Sequence, residues 1–228
     1  MKIAIIVAME KELALLLPLI KDKKTRSIDG KEVTEGRLGN HDVVVALCGI
    51  GKVNAALSTY ALIRAERPDM VINTGVCGGA DIKTGICDVL VADEVAYHDV
   101  WCGPETEYGA ACGLPARMEC DRRTVEKARE VLTGGKVHFG LLCSGDKFIC
   151  KPEEVVEIKE HFPDALGVDM ESGAIAQTCL REGVPFVIVR AISDTPGSGH
   201  NIEQYEDFWE NAPQSTFHTL LRLLEQID

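Results

Sequence analysis

The stretch ALGVDMESGAIA, residues 165–176, places two carboxylates, Asp169 and Glu171, in a run otherwise made mostly of small and apolar residues. An ionised carboxylate in an apolar setting is costly unless it is paired or used in chemistry. The stretch therefore predicts a functional site.

Three further charged side chains stand at or near the ends of apolar runs. Glu12 follows the first run, in VAMEKE, where a carboxylate also suits the start of a helix. Asp194 ends VPFVIVRAISD directly before the loop TPGSGHN, a position where aspartate commonly serves as a cap or turn residue. Arg190 lies inside that run and requires an anionic partner, for which Glu171 and Glu12 are both candidates. A structural ion pair and a substrate contact are equally open for Arg190.

The glycine-rich turns GIGK (49–52) and TGVCGG (74–79) let backbone N–H groups approach a ligand, but neither fits the P-loop or the dinucleotide fingerprint. His98 and Asp99 have no second histidine at ligand spacing, and the nine cysteines are nowhere spaced Cys-x-x-Cys. We therefore expect neither a metal nor a cofactor.

The whole chain has 228 residues, is 46% hydrophobic and carries a formal charge of -12. This length suits one core, and no linker divides the chain, so we expect a single domain over residues 1–228. The acidic balance disfavours nucleic acid and anionic lipid as partners and favours a small molecule. The N-terminus lacks the pattern of a signal peptide, no run is long enough to span a bilayer, and the cysteine usage fits a reducing cytoplasm.

Apolar runs alternate with helical patterns along the chain. The run KIAIIVA (2–8) is β-branched and continuous, as in strands buried on both faces of a sheet. Similar runs occupy residues 42–48, 69–75, 88–97, 137–145 and 184–193, and helical patterns occupy residues 11–20, 52–66, 123–132, 152–162, 171–183 and a stretch from about 203. The alternation predicts a mostly parallel sheet covered by helices on both faces.

In open α/β sheets, ligands bind beyond the carboxyl ends of the strands. This rule selects seven segments, residues 8–12, 49–52, 74–79, 97–99, 144–149, 169–171 and 193–199. The acidic side chains discussed above all fall within them.

Seven short strings together resemble one family. VAMEKE, GIGKVNAA, INTGVCGG, YHD, SGDKFI, VDMES and VRAISD occur in the order found in bacterial 5'-methylthioadenosine/S-adenosylhomocysteine nucleosidases, members of the nucleoside phosphorylase superfamily. The resemblance runs from Met1 to about Phe208. It implies a three-layer αβα fold around a central mixed, mostly parallel twisted sheet. It also implies a homodimer that hydrolyses the N-glycosidic bond of an adenine nucleoside bearing a 5'-thioether.

The resemblance also assigns roles. Glu12 corresponds to the water-activating base and Asp194 to the acid that protonates N7 of the departing adenine. Ten further positions are expected to bind substrate: the ribose contacts Glu171 and Met170, the base contacts Phe148 and Ile149, the lid residues Tyr205 and Phe208, and also Arg190, Ser193, Val76 and Gly78.

The chemistry of the residues supports these roles independently. Cleaving a ribose-to-base bond develops positive charge on the sugar and negative charge on the base, so the site needs a carboxylate near the sugar and a proton donor near the base. Two positions depart from the family pattern, which commonly has serine at Val76 and often glutamate at Asp169. Both departures bear on the preferred 5'-substituent and on efficiency. The segment 101–120 also differs, and is either a dimer contact anchored by Trp101 or a surface loop.

Three alternatives remain open from the sequence. A phosphorylase would need cationic or N–H donors for phosphate where the first turn carries Glu10 and Glu12. A nucleosidase for another substrate, such as a futalosine-type nucleoside, is compatible with Val76 and the altered lid loop. A non-catalytic nucleoside binder would tolerate loss of the acidic residues, all of which are present.

Overall fold

The computed structural model describes residues 1–111, 113–134, 136–211 and 215–227. The strands in these ranges are β1 (Lys2–Val7), β2 (Lys21–Ile28), β3 (Lys31–Leu38), β4 (His41–Leu47), β5 (Met70–Gly79), β6 (Val89–Tyr97), β7 (Arg117–Glu119), β8 (Val137–Ser144), β9 (Ala165–Asp169) and β10 (Phe186–Asp194). The α-helices are α1 (Glu10–Leu16), α2 (Lys52–Glu66), α3 (Arg122–Val131), α4 (Pro152–His161), α5 (Ser172–Glu182), α6 (Asn201–Asn211) and α7 (Ser215–Leu224), and a 3-10 turn (Leu17–Leu19) follows α1.

Strand β1 is central and buried on both faces, as its continuous apolar run predicts. It pairs in parallel with β4 on one side and with the first residues of β5 on the other. Side chains alternate between the two faces of a strand. Ala4 and Ile6 belong to the core shared with α2 and α5, whereas Ile3, Ile5 and Val7 belong to the core shared with α1 and α7. The prediction of helices on both faces of the sheet is confirmed.

Strand β5 is the branch point of the sheet. Its first residues pair with β1, its other edge pairs in parallel with β10, and Gly78 and Gly79 at its end pair with β9. Strand β10 also pairs with β6, β6 with β8, and β8 with β9, so these four strands and β5 close into a ring. The ring brings the ends of β5, β8, β9 and β10 to one place, where an open sheet would spread them apart.

The central mixed sheet is confirmed, and five of the ten pairings among the described strands are parallel. Strands β2 and β3, which form an antiparallel hairpin beside β4, were not predicted, because their sequence is charged and lacks an apolar run. The predicted C-terminal stretch contains two helices, α6 and α7, with residues 212–214 outside the described ranges. Within the part of the chain that the structure describes, no helix is long and apolar enough to cross a membrane.

Candidate active site

A cavity opens beyond the carboxyl ends of β1, β5, β9 and β10, as the strand-end rule predicts. It encloses about 600 Å³ not occupied by protein atoms, part of it open to solvent. Its lining comes from seven segments: Ala8, Met9 and Glu12; Ile50; Val76, Cys77 and Gly78; Lys147, Phe148 and Ile149; Val168, Asp169, Met170 and Glu171; Ser193 and Asp194; and Tyr205.

Glu12 lies in the first turn of α1 and is buried. Its Oε2 accepts hydrogen bonds from the backbone N–H groups of Ala8 (2.8 Å) and Met9 (3.0 Å), which belong to the turn that starts the helix. Its Oε1 accepts from the N–H of Val76 at 2.9 Å. Burial raises the pKa of Glu12, and the charge of Arg190 and the three N–H donors oppose that shift. A carboxylate with a raised pKa is suited to accept a proton from water.

Gly75 on β5 permits this arrangement. Its φ is +151°, and a Cβ atom there would lie 2.2 Å from Glu12 Oε1 and 2.6 Å from Arg190 Nη1. A Cβ atom does not approach a non-bonded oxygen or nitrogen so closely. Only glycine lets the strand pass so close to both charged groups.

Arg190 is fully buried on β10 and has a dense set of partners. Its Nη2 donates to Asp169 (2.5 Å) and Asn73 (2.6 Å) and lies 3.1 Å from the hydroxyl of Ser172. Asp169 also accepts from the hydroxyl and, at 3.2 Å, from the backbone N–H of Ser172, so it ties the end of β9 to the start of α5. These contacts anchor the Nη2 end of the guanidinium between β9, α5 and β5.

The same guanidinium is within ion-pair distance of two other carboxylates. Arg190 Nη1 lies 3.9 Å from Glu12 Oε1, and Nη2 lies 3.7 Å from Glu171 Oε2. Three buried carboxylates thus surround one cation, counting Asp169. Such a group carries net negative charge when fully ionised, and a low-dielectric site resists that state.

Glu171 occupies the position before the first turn of α5 and is 5% exposed. Its Oε1 accepts a hydrogen bond from the N–H of Gly51 at 2.9 Å. Burial, together with the nearby charge of Asp169, raises the pKa of Glu171 to about 7, against the opposing effect of Arg190. The carboxyl therefore titrates close to neutral pH.

Asp194 ends β10 on the other side of the cavity and is 2% exposed. Its Oδ1 accepts from the hydroxyl of Ser193 at 2.7 Å, and that hydroxyl is also 3.2 Å from the carbonyl of Cys77. Burial raises the pKa of Asp194, and the Ser193 hydroxyl and the Asn201 amide oppose the shift. These opposing groups are neutral, unlike the guanidinium beside Glu12 and Glu171.

Aromatic side chains close the outer side of the cavity. Phe148 is half-exposed and meets Tyr205 edge to face, with ring centroids 5.9 Å apart. Tyr205 meets Trp209 in the same manner at 5.8 Å, and its hydroxyl lies 3.2 Å from Met9 Sδ. Lys11 Nζ stands 5.4 Å from the Trp209 ring. A flat, partly exposed ring such as Phe148 is suited to stack on a heterocyclic base.

Comparisons with known proteins agree with this geometry. Residues 2–225 match the family model of the phosphorylase superfamily. The chain is 38% identical to a 5'-methylthioadenosine/S-adenosylhomocysteine nucleosidase of Lysinibacillus sphaericus (strain C3-41), over 100% of both proteins. It is 40% identical to one from Geobacillus thermodenitrificans (strain NG80-2), over 98% of this chain and 96% of that protein.

Solved structures of the same kind superimpose closely. One is the nucleosidase of S. pneumoniae with the transition-state inhibitor MT-ImmA, with a TM-score of 0.95 and 33% identity over 100% of both chains. Another is the Neisseria meningitidis nucleosidase in complex with methylthio-immucillin-A, with a TM-score of 0.93 and 36% identity over 99% of both chains.

This chain belongs to the 5'-methylthioadenosine/S-adenosylhomocysteine nucleosidase family of the phosphorylase superfamily. Ten of the twelve site residues predicted from the sequence line its cavity. The exceptions are Arg190 and Phe208. Arg190 lies behind the cavity wall as an ion-pair partner, and Phe208 is 3% exposed and packs against Val76 and Ala191.

Some contributors to the nucleosidase-family site were not singled out from the sequence. Ile50, Met9 and Lys147 line the cavity, and all three lie in segments that the strand-end rule selects. Asn73 and Gly75 support the site from within β5. Within the described ranges, no group of three or more His, Cys, Asp or Glu side chains is arranged to hold a metal ion.

Proposed function

We propose that this chain hydrolyses the N-glycosidic bond of 5'-methylthioadenosine and S-adenosylhomocysteine, releasing adenine and the thioribose sugar. The arrangement of Glu12, Glu171 and Asp194 around one cavity carries the proposal, because the reaction needs carboxylates at both the sugar and the base. The named activities of the relatives, and the inhibitors bound in their structures, support the same substrate class.

Glu12 acts in the proposal as the base. It removes a proton from water as the water oxygen bonds to the anomeric carbon and the bond to the base nitrogen breaks. Three backbone N–H donors hold its carboxylate in place, so little reorganisation accompanies the proton transfer. The proton is afterwards released to solvent.

Asp194 acts as the acid and gives its proton to N7 of the purine, so that adenine leaves as a neutral molecule. The carboxyl must hold that proton until the bond breaks. Burial raises its pKa and favours the protonated form. Ser193 donates to one of its oxygens and leaves the other available to the base.

Glu171 and Met170 are proposed to hold the ribose, with the carboxylate accepting from the 2'- and 3'-hydroxyls. A hydrogen bond to a charged acceptor in such a site contributes about 1.5–3 kcal/mol. Phe148 stacks on the purine and the backbone of Ile149 meets its edge. Tyr205 covers the 5'-substituent together with Met9, which its hydroxyl contacts.

Hydrolysis is favoured over phosphorolysis by the charges that line the cavity. Four of the lining residues are acidic, while Lys147 is paired with Glu154 at 3.1 Å and Arg190 is occupied by Asp169. A phosphate dianion in this cavity would meet repulsion from the carboxylates. Product analysis with methylthioadenosine tests the point. We expect adenine and free sugar at a rate independent of phosphate, and formation of a sugar 1-phosphate would overturn the proposal.

A substrate panel tests the nucleoside specificity. Methylthioadenosine, adenosylhomocysteine, inosine and aminodeoxyfutalosine are compared by release of the base. We expect the two thioether adenosines to have the highest kcat/KM, because Met9, Ile50, Val76 and Tyr205 give the cavity an apolar wall. A preference for aminodeoxyfutalosine would instead support a nucleosidase for futalosine-type nucleosides.

The proposal includes a homodimer in the cytoplasm. Val53, Leu57 and Tyr60 form an exposed apolar stripe along α2, and exposed Ile50 continues it to the cavity. Exposed apolar surface of this kind is typical of protein contacts. Sedimentation equilibrium should give twice the chain mass, and Leu57→Glu should give the monomer. The eight cysteines in the described ranges are all free, which supports a reducing compartment.

A further inference from the structure

Asn201 opens helix α6, immediately after the loop that follows Asp194, and has no role in the mechanism above. It is 4% exposed, and its Nδ2 is buried with no hydrogen-bond partner among the described residues. Leaving a buried amide N–H unpaired is costly, so such groups usually serve a purpose.

The start of α6 is held against the end of β10. The side-chain oxygen of Gln204, one turn after Asn201, accepts from the backbone N–H of Thr195 at 2.9 Å and lies 3.4 Å from the hydroxyl of Ser198. Thr195 directly follows Asp194, so the first turn of α6 is positioned beside that carboxyl. The Ser193 hydroxyl and the Asn201 amide both favour the ionised form of Asp194 and lower its pKa against burial, although the Asn201 Nδ2 does not make a hydrogen bond of ordinary geometry.

We propose that Asn201 is a positioning residue, whose Nδ2 closes to a hydrogen bond with the Asp194 carboxyl and orients it toward the purine. The inference rests on the proposed role of Asp194 as the acid. Two donors from different elements fix the carboxyl plane, whereas Ser193 alone leaves rotation free. Because α6 also carries Tyr205, the wall over the 5'-substituent and the support of the acid belong to one rigid element.

Other titratable groups near Asp194 act on the same titration. Cys77 on β5 and Tyr205 on α6 interact with its charge, and both are neutral at physiological pH because burial raises their pKa values. Glu12 on α1 lines the same cavity. His200 and Glu203 form an exposed pair, 3.2 Å apart, at the start of α6, where solvent screens them.

Removing the Nδ2 donor should shift the pH profile of kcat to higher pH. The ionised form of Asp194 loses a donor, so its pKa rises and the acid stays protonated to higher pH. The descending alkaline limb of kcat therefore moves upward, by about one pH unit for one hydrogen bond to a charged group. A helix cap alone would not move this limb.

Asn201→Asp separates the N–H donor from the start of the helix, because aspartate is favourable in the first turn of a helix but has no N–H donor. With methylthioadenosine as substrate, we expect its alkaline limb to move upward further than that of Asn201→Ala, since a second carboxylate adds repulsion. Glu203→Gln, on the same turn and exposed, is the matched control and should keep the wild-type profile.

A second measurement guards against misfolding of these variants. The carboxyl carbon of Asp194, assigned in 13C spectra by its loss in Asp194→Asn, reports its pKa without turnover. Profiles of Asn201→Asp and Asn201→Ala that superimpose on wild type would overturn the inference. Near-wild-type turnover in Asp194→Asn would instead overturn the proposed acid, so the two failures are distinguishable.

Discussion

The carboxyl groups on the two sides of the cavity have different partners. On one side, Glu12, Asp169 and Glu171 surround the cation Arg190, while on the other side Asp194 has the neutral hydroxyl of Ser193. A nearby cation favours the charged form of an acid, whereas burial with neutral donors leaves more of the protonated form. The difference supports the proposal that Glu12 and Glu171 act as acceptors while Asp194 donates a proton.

The largest expected effect is on the side without the cation. Asp194→Asn keeps the shape of the residue but cannot give a proton to the leaving base, so kcat should fall about a thousandfold. Adenine binding, measured by calorimetry, should remain detectable. Glu206→Gln, exposed on α6, is the control and should retain wild-type turnover. A variant of Asp194 with nearly normal turnover would show that the proton comes from elsewhere.

The next largest effect is expected at Gly75, which packs against Glu12 and Arg190 on the side of the cavity that holds the cation. Gly75→Ala places a Cβ atom 2.2 Å from Glu12 Oε1, so the carboxylate or the strand must shift. A displacement of about 1 Å at a catalytic group lowers kcat about a hundredfold, and Tm should fall as well. Turnover and thermal unfolding measure the two consequences.

Gly30→Ala is the matched control for that change. Gly30 has a φ of +79° in the β2–β3 turn, with no atom within 4 Å of the added Cβ. It isolates the backbone cost of alanine at positive φ, about 1–2 kcal/mol, from steric contact with the site. If Gly75→Ala loses no more activity than Gly30→Ala, the close approach to Glu12 is unimportant.

The pH dependence of the free energy of unfolding tests the ionisation of Glu171, on the same side of the cavity, and its expected effect is smaller. The pKa of Glu171 is about 7 in the folded protein and 4.5 as the reference value, so the folded state holds a proton that the unfolded state releases between these values. The stabilisation is fully present below 4.5 and is lost as pH rises through about 7. Relative to Glu171→Gln, the free energy of unfolding should fall by up to about 3 kcal/mol across this window.

Denaturant titrations of both proteins at several pH values measure that difference. The substitution leaves an oxygen that can accept from Gly51, so the comparison isolates the ionisation. A difference between the two proteins that stays constant with pH would mean that Glu171 is ionised throughout. Arg190 would then outweigh burial on this side of the cavity.

The sequence predicts the scaffold best where a pattern is local. Helix α2 occupies the residues that its periodicity indicates, and the carboxyl ends of the strands do form the cavity. The sequence does not predict strands β2 and β3, because these two charged strands lie at the edge of the sheet and contain no apolar run.

The site itself is predictable only in part from the sequence. The spacing of Glu12, Glu171 and Asp194 indicates strand ends, but the closure of β5 with β10 and β9 decides how near they lie. The sequence leaves a structural ion pair and a substrate contact equally open for Arg190, and the structure shows a buried ion pair with Asp169. The need for glycine at position 75 follows from a distance between side chains on α1 and β10, which one-dimensional spacing does not encode.

The smallest expected effect is at Val76, where the family commonly has serine. Glu12 is bound by the backbone N–H of Val76, and that donor is unchanged in Val76→Ser. The methyl groups pack with Ala191 and Phe208, so the free energy of unfolding should fall by about 1–2 kcal/mol. We expect kcat to stay within about threefold of wild type, a change in barrier of under about 1 kcal/mol.

Steady-state kinetics with methylthioadenosine and adenosylhomocysteine, beside denaturant unfolding, measure both outcomes at Val76. A change in kcat above about tenfold, or about 1.4 kcal/mol, would show that the side chain at 76 positions the water that Glu12 is proposed to deprotonate. In that case the cationic side of the cavity would depend on a side-chain hydroxyl as well as on backbone donors. A change in KM for one substrate alone would instead place Val76 against the 5'-substituent.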